Sequence, residues 1–354
     1  MMKKILFLAL LLLLQVGSLQ AQLNLNVTDT TVCRNTPIQV CANIPPVNLS
    51  GLNFDDRFSS TINIGFPFVF YGQTVTQCLI SENNFITFDL SFANSQSANY
   101  TYNTSLNSGE LTRSIMFPYQ DLDVSFGGVI RYMTVGQAPN RRFVVEFCEV
   151  VYYSTSCHNL RTRNQLVLYE GSNVIEMHLG QVAQCNGWPT ANPNGHAVQG
   201  IRGNGNQQFV TGRGPNSAPW TVNSTTPQSY QFVPSGANSY TISTVAYDPA
   251  AFILQNQGTY SWYSGNASTP FANTVCAAIT PDTAIDYYVV KYTGIVGCGA
   301  TGQTTLFDTV KVNYQPVQAV KPLSYCASQL PATWNGSTIS AGASSNAHYD
   351  TVMV

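Results

Sequence analysis

Charge is the scarcest property of this chain. Lysine and arginine supply 15 of its 354 residues and aspartate and glutamate 17, so 9% of positions are charged, where an ordinary soluble domain carries about a quarter. The formal net charge is −2, and a chain so poor in cations has no basic face to lay along nucleic acid or an anionic membrane surface. Amphipathic helical periodicity is missing too, which excludes a helical bundle. After the N-terminal segment no apolar run approaches the roughly 20 residues that cross a bilayer. The sequence has no G-x-S-x-G elbow, no H-E-x-x-H and no paired C-x-x-C, and His158, His178, His196 and His348 stand isolated. A nucleophile elbow and a zinc site therefore lack support.

What the chain has in quantity is packing material: 44% of residues are hydrophobic and 12% aromatic, too many for a disordered polymer. Solubility falls to Asn, Gln, Ser, Thr and Gly. The opening "MMKKILFLALLLLLQVGSLQAQ" sets Lys3 and Lys4 before an apolar run from Ile5 to Leu14, then small and polar residues to Ala21. That is the layout of a secretory leader cut after Ala21, so residues 1–21 are excluded from the fold. The remaining roughly 330 residues exceed one core and suggest two or three domains.

Strand signals dominate. "INIGFPFVFYG", "FITFDLSF", "GVIRYMTV", "RFVVEFCEVVYY", "NQLVLYEG" and "NVIEMHLG" are short β-branched and aromatic runs punctuated by Gly, Asn and Pro. The expected fold class is all-β: N-terminal strands over 22–52, a large β-sandwich over 53–234, a linker at "PSGANS", an Ig-like or PKD-like sandwich over 240–316, and a further β repeat starting at 319 and cut short at 354. "LFDTVKV" at 306–312 echoes "HYDTVMV" at 348–354, the mark of tandem modules. About 35 residues in the last unit are too few to bury a core unaided.

Nine cysteines follow the leader, and in an oxidising compartment most should be bonded. Cys78 with Cys148 would join adjacent predicted strands, Cys276 with Cys298 flank "DYYVVKY", and Cys33 with Cys41 would close an N-terminal hairpin; Cys33 with Cys298 is the alternative, making the Ig-like domain discontinuous. Nine is odd, so one partner lies elsewhere.

Candidate chemistry is sparse. "QDLDVSFGG" sets Asp121 and Asp123 two apart, on one side of the chain before a Gly-Gly turn, an arrangement that offers two oxygens to Ca²⁺. The competing reading has both aspartates pinning the turn through backbone N–H groups. Asp55, Asp56 and Asp89 are distant in sequence from that pair. Cys157 beside His158 is better read as a disulfide cysteine than as a thiol nucleophile, since adjacent strand residues face opposite ways. Glu146 and Glu149, three apart, would also face opposite sides. "GIRGNGNQQ" precedes no helix and reads as loop glycine. Arg141 and Arg142 read as solvated charges at a hairpin tip. Trp188, Trp220, Trp262 and Trp334 with Tyr152 and Tyr153 would form either a sugar-stacking platform or core packing.

Several segments together resemble the large secreted surface proteins of gliding, type IX secreting Bacteroidota, which carry tandem Ig-like or PKD-like modules, and in particular their nidogen-like N-terminal sandwich. They are "IGFPFVFYGQTVTQCLISENNFITFD", "PYQDLDVSFGGVIRYMTVGQAPNRRFVVEF", "CHNL", "QLVLYEGSNVIEMHLG", "CNGW" and "PNSAPW", over roughly 60–233. The resemblance implies a Cys157–Cys185 bridge, and that the chain is an N-terminal piece whose Cys326 pairs with a cysteine beyond Val354; pairing of Cys326 within this chain is the alternative. It implies a non-catalytic extracellular scaffold at the cell surface, an adhesion or binding protein contacting protein or polysaccharide surfaces; the one cofactor expected is the calcium ion that Asp121 and Asp123 would take. A carbohydrate-binding accessory module of a larger enzyme is the second expectation. A hydrolase would require Asp121, Asp123 and a histidine to share a pocket.

Overall fold

A computed structural model describes residues 23–315 with short interruptions, the longer ones at 43–46, 101–105, 186–195 and 299–302, and describes the backbone of a strand pair within 332–339. The expected leader, Trp188, Cys326, His348 and the closing "HYDTVMV" lie outside the described residues.

Three short strands come first, β1 (Thr30–Cys33), β2 (Ile38–Cys41) and β3 (Val47–Asn48). The large module runs through β4 (Ile62–Phe70), β5 (Gln73–Ser81), β6 (Phe85–Thr87), β7 (Ser114–Tyr119), β8 (Val129–Val135), β9 (Arg142–Val151) and β10 (Arg161–Tyr169). It ends with β11 (Ile175–Gln181), β12 (Val198–Arg202), β13 (Gln207–Phe209), β14 (Gln228–Gly236) and β15 (Ser239–Val245). The second module adds β16 (Ile253–Ser264), β17 (Cys276–Ile279), β18 (Ile285–Val296) and β19 (Gln303–Gln315), and β20 (Ala332–Trp334) pairs with β21 (Ser337–Ile339). The protein is all-β.

Two sheets make the large sandwich, in the orders β15-β14-β11-β10-β9-β8-β3 and β13-β12-β7-β6-β5-β4. The period of two that marks "INIGFPFVF" in the sequence drives their contact: Ile62, Ile64, Phe66, Phe68 and Phe70 are buried and the residues between them turn outward. They meet Phe143, Val145 and Phe147 of β9 and Leu166 and Leu168 of β10 in one core, each such side chain stabilising the fold by about 1.5–3 kcal/mol. Tyr71 and Gly72 join β4 to β5 with φ of 46° and 72°, a two-residue turn whose twist matches the flanking strands.

Both outer faces are covered as well. Phe85, Met116, Tyr119 and Val198 on the six-stranded sheet pack with Phe58, Leu106 and Leu111 from the adjoining loops. On the seven-stranded sheet, Met133, Val135, Val144 and Val167 pack against Phe252. Beside them Arg131 and Glu146 form a buried ion pair. Gln165 Nε2 donates to Glu146 at 2.7 Å and to the Ala250 carbonyl at 2.9 Å, so the segment leaving β15 returns across this face and seals the pair.

Three sequence expectations need correction. "PSGANS" is no linker: it is the turn joining β14 to β15, and Tyr240 lies in the main core. The large module therefore continues to Val245, and the second module begins near Phe252 instead of Tyr240. A tight turn and a linker share their Ser, Gly and Asn, and only the pairing partner tells them apart. The N-terminal strands form no unit of their own, because a segment so short cannot enclose a core. β1 runs parallel to β19, β2 pairs with β17, and β3 pairs with β8. Leu23, Val40 and Ala42 thereby complete the core around Trp262, Val290, Tyr292 and Val312, and the Ig-like module is discontinuous.

The third correction concerns the cysteines. Cys41 is bonded to Cys276, Cys148 to Cys298 and Cys157 to Cys185; Cys33 and Cys78 are free. The pairs Cys33–Cys41, Cys78–Cys148, Cys276–Cys298 and the alternative Cys33–Cys298 do not form. Cys78 sits in the core between the sheets, whereas Cys148 shares the parity of Arg131 and Glu146, on the outer face of β9, where the second module supplies Cys298. Alternation thus separates two cysteines that neighbouring strands had suggested as partners.

Candidate functional site

At one end of the large sandwich three connections converge. The first precedes β4 and carries Asp55 and Asp56. The second is the tight turn Glu82-Asn83-Asn84 between β5 and β6, and the third leaves β7 as Gln120-Asp121-Leu122-Asp123. Backbone bonds lock them together. Glu82 accepts from the amides of Asp56 at 3.1 Å and Arg57 at 2.8 Å. Asn83 Oδ1 accepts from Leu122 N at 2.8 Å, its Nδ2 donates to Ala98 O at 2.9 Å, and its own carbonyl accepts from Gln120 N at 3.2 Å. Asn84 takes the left-handed conformation the turn demands, φ 62°, and is fully buried.

The sequence paired Asp121 with Asp123, and the structure separates their tasks. Asp123 Oδ1 accepts from Ser125 N at 2.8 Å and caps the single 3₁₀ turn Val124–Phe126, the turn-pinning role. After it Gly128, at φ 91°, lets the chain pass so close to β9 that a Cβ would lie 2.5 Å from the Glu149 carbonyl. Asp121 is 8% exposed, and its Oδ2 is buried without a hydrogen-bond partner. Asp55 Oδ1 is in the same condition, as are both amide atoms of Asn84. Asp55, Asp56 and Glu82 bring carboxylate oxygens within 4.8 Å of one another.

Electrostatics follow from this crowding. Burial, then the charge of Asp56 and of Asp123, pushes the Asp55 carboxyl up to about 7. Burial and the charges of Asp55, Asp56 and Asp123 push Asp121 up to about 9. Burial raises Asp56 as well and holds Glu82 well above the usual carboxylate range. The Tyr153 hydroxyl is raised by the charges of the same aspartates, Asp55 first. The sequence reading set Asp55 and Asp56 aside as distant and passed over Glu82, because nothing local links them to Asp121; only the β4 to β7 meander makes them neighbours.

The other candidates go elsewhere. Asp89 caps the turn Leu90–Phe92. Glu146 pairs with Arg131, while Glu149, at φ 56° in a bulge, pairs with Arg163. Arg141 is no idle tip charge: its Nε and Nη2 hold both oxygens of Glu170 at 2.8 and 2.5 Å. His178 contacts Ser229 and Glu176. His158 stacks on Phe126 at 4.0 Å and reaches the Tyr153 carbonyl at 3.1 Å. Trp262 and Tyr152 are buried, and Trp220 is half-buried under the Arg213 guanidinium, 4.0 Å from its ring. Of the aromatics offered for a sugar platform, Tyr153 is exposed, and the side chains of Trp188 and Trp334 lie outside the described residues.

Residues 36–243 match the model of a family described as NIDO related. The match spans the large module and every residue of the acidic cluster. No curated protein matches the chain. Among the described residues, no helix is long and apolar enough to cross a membrane.

Proposed function

The chain belongs to the NIDO-related family, and on that premise we propose that it is a secreted, non-catalytic contact module, an adhesion or surface-binding scaffold whose sandwiches hold loops out for a partner. Three disulfides and an extracellular-type domain support secretion. One observation carries the contact role: beside the acidic cluster the 3₁₀ turn presents Phe126, 51% exposed, stacked on His158 and next to the 41%-exposed Tyr153. Large aromatics held rigidly at the end of a sandwich suit recognition of another surface. The finer reading, a cell-surface protein of a gliding, type IX secreting bacterium, draws its support from the sequence resemblance over residues 60–233.

The test is retention of the labelled full chain on immobilised protein and polysaccharide surfaces, alongside ester, peptide and glycoside reporters. Retention that falls about tenfold in Phe126→Ser/Tyr153→Ser, the size expected from losing one or two buried contacts, supports the reading. Turnover of a reporter that vanishes in Asp121→Asn would replace it with an enzyme.

A further inference from the structure

We propose that Asp55, Asp56, Glu82 and Asp121 form a calcium site at the end of the large sandwich, with Asp123 adding charge beside them. The cluster has the all-oxygen donor set of a hard cation and contains neither the histidine nor the cysteine that zinc selects. Calcium is favoured over magnesium because Mg²⁺ dehydrates reluctantly and keeps several waters, whereas Ca²⁺ accepts irregular sets of carboxylate and carbonyl oxygens. Oxygens on opposite sides of Ca²⁺ stand about 4.6–5.2 Å apart, and those of Asp55, Asp56 and Glu82 all lie within 4.8 Å of one another, close enough to share one ion.

A group of acids is not by itself a site, and a second observation points to the ligand. Asp121 is more than nine-tenths buried, yet its Oδ2 accepts no hydrogen bond, and the charges that press on it are those of Asp55, Asp56 and Asp123. Asp55 Oδ1 is likewise buried and unpartnered, as is Oδ1 of the wholly buried Asn84 in the same turn as Glu82. Burying a carboxylate oxygen without donor or counter-charge is costly. Where neighbouring residues give other acids their partners, as Ser125 does for Asp123 and Ser91 for Asp89, these oxygens are left free at the point where three loops meet. One divalent ion would partner them together and tie the loop before β4 and the loop after β7 to the β5–β6 turn. Glu82 keeps lone pairs for the ion, since two backbone amides occupy only part of its capacity.

The site stands whether or not the outer surface binds a partner, and its test reads metal alone. Full chain stripped with EDTA is titrated with CaCl₂ by calorimetry and melted with and without the ion. The expected result is one ion per chain and, for a dissociation constant of ~0.1–1 mM, a melting temperature raised by roughly 3–10 °C at 10 mM CaCl₂. MgCl₂ at the same concentration should give under half that shift. Asp121→Asn and Asp55→Asn should each abolish at least two thirds of it, while Asp89→Asn, a capping acid outside the cluster, keeps it. Wild-type protein indifferent to 10 mM CaCl₂ overturns the proposal, as do cluster variants that retain the full shift. Should one variant fail to fold, the other and the wild-type titration decide.

Discussion

Replacing Cys41 and Cys276 with serine should uncouple the second module from its N-terminal strands. The bridge joins β2 to β17 across a sequence separation of 235; taken as one loop in a fully unfolded chain, that is worth about 5.5 kcal/mol in the chain-entropy model. The structure argues for a smaller figure. The two modules have separate cores, so the second can melt while the first stays folded. Cys41 is then tethered six residues from β3, still paired in the large sheet, and Cys276 is tethered 22 residues from Cys298, still bonded to Cys148. The effective loop shrinks to roughly 30 residues and the contribution to about 3–4 kcal/mol. For a module of ~100 residues that lowers the melting temperature by roughly 15 °C or more. Scanning calorimetry should show the serine variant melting in two steps, the early one carrying the loss of Trp262 fluorescence change. A single transition shifted as a whole would refute modular unfolding. A second-module transition moved by less than about 1 kcal/mol would refute the loop argument itself.

The free cysteines should differ sharply: a maleimide probe modifies exposed Cys33 in the native protein, but Cys78, buried between the sheets with its thiol pushed up by desolvation, only after denaturation, as read by peptide mass spectrometry. Arg131→Met should cost about 3–5 kcal/mol in guanidinium unfolding, because it strands Glu146 beneath Ala250 and Phe252, and Arg131→Met/Glu146→Leu should recover most of that. Calcium-free protein should lose stability as pH rises. Asp55 and Asp121, facing Asp56, Glu82, Asp123 and Tyr153, keep their protons in the folded chain up to about 7 and about 9, against 3.8 ordinarily. Folding therefore takes up protons between those limits, and stability declines through them. Urea midpoints in EDTA at pH 5, 7 and 9 test this, with Asp121→Asn flattening the upper half; midpoints that climb with pH would contradict the sign.

What the sequence made legible was local. The alternation in "INIGFPFVF" is a property of nine adjacent residues, and it places five side chains in the core without knowledge of what they meet. The choice of cysteine partners is non-local. Cys148 finds Cys298 because alternation turns it outward on β9 and because a discontinuous module docks on that face, and the docking leaves no trace near either cysteine. "PSGANS" failed for a related reason: its composition reports a chain reversal or a tether equally, and the register of β14 against β15 decides. The acidic cluster shows both cases at once. The two-residue spacing of Asp121 and Asp123 was visible, and so was a turn-pinning role, which belongs to Asp123. That Asp121 keeps a free oxygen, and that the charges of Asp55 and Asp56 reach it, depends on hairpin connections spanning some sixty residues.

The scarcity of charge gives that cluster its weight. A chain with 17 acidic residues among 354 has ample surface on which to keep them apart, yet Asp55, Asp56, Glu82, Asp121 and Asp123 act on one another at a single loop junction. Solubility is no reason, since Asp121 and Asp123 are buried and Glu82 is wholly inaccessible. Turn geometry accounts for Asp123, and the backbone bonds of Asp56 and Arg57 account for part of Glu82. Neither accounts for Asp121 or Asp55, where asparagine would fill the same space without repulsion. The measurement that separates a structural accident from a cation site is therefore the pair of asparagine variants in EDTA. If the acids serve only the fold, Asp121→Asn and Asp55→Asn match the wild type or fall below it. If they are held for a metal, both variants are more stable than metal-free wild type at pH 8, and the order reverses when calcium is added.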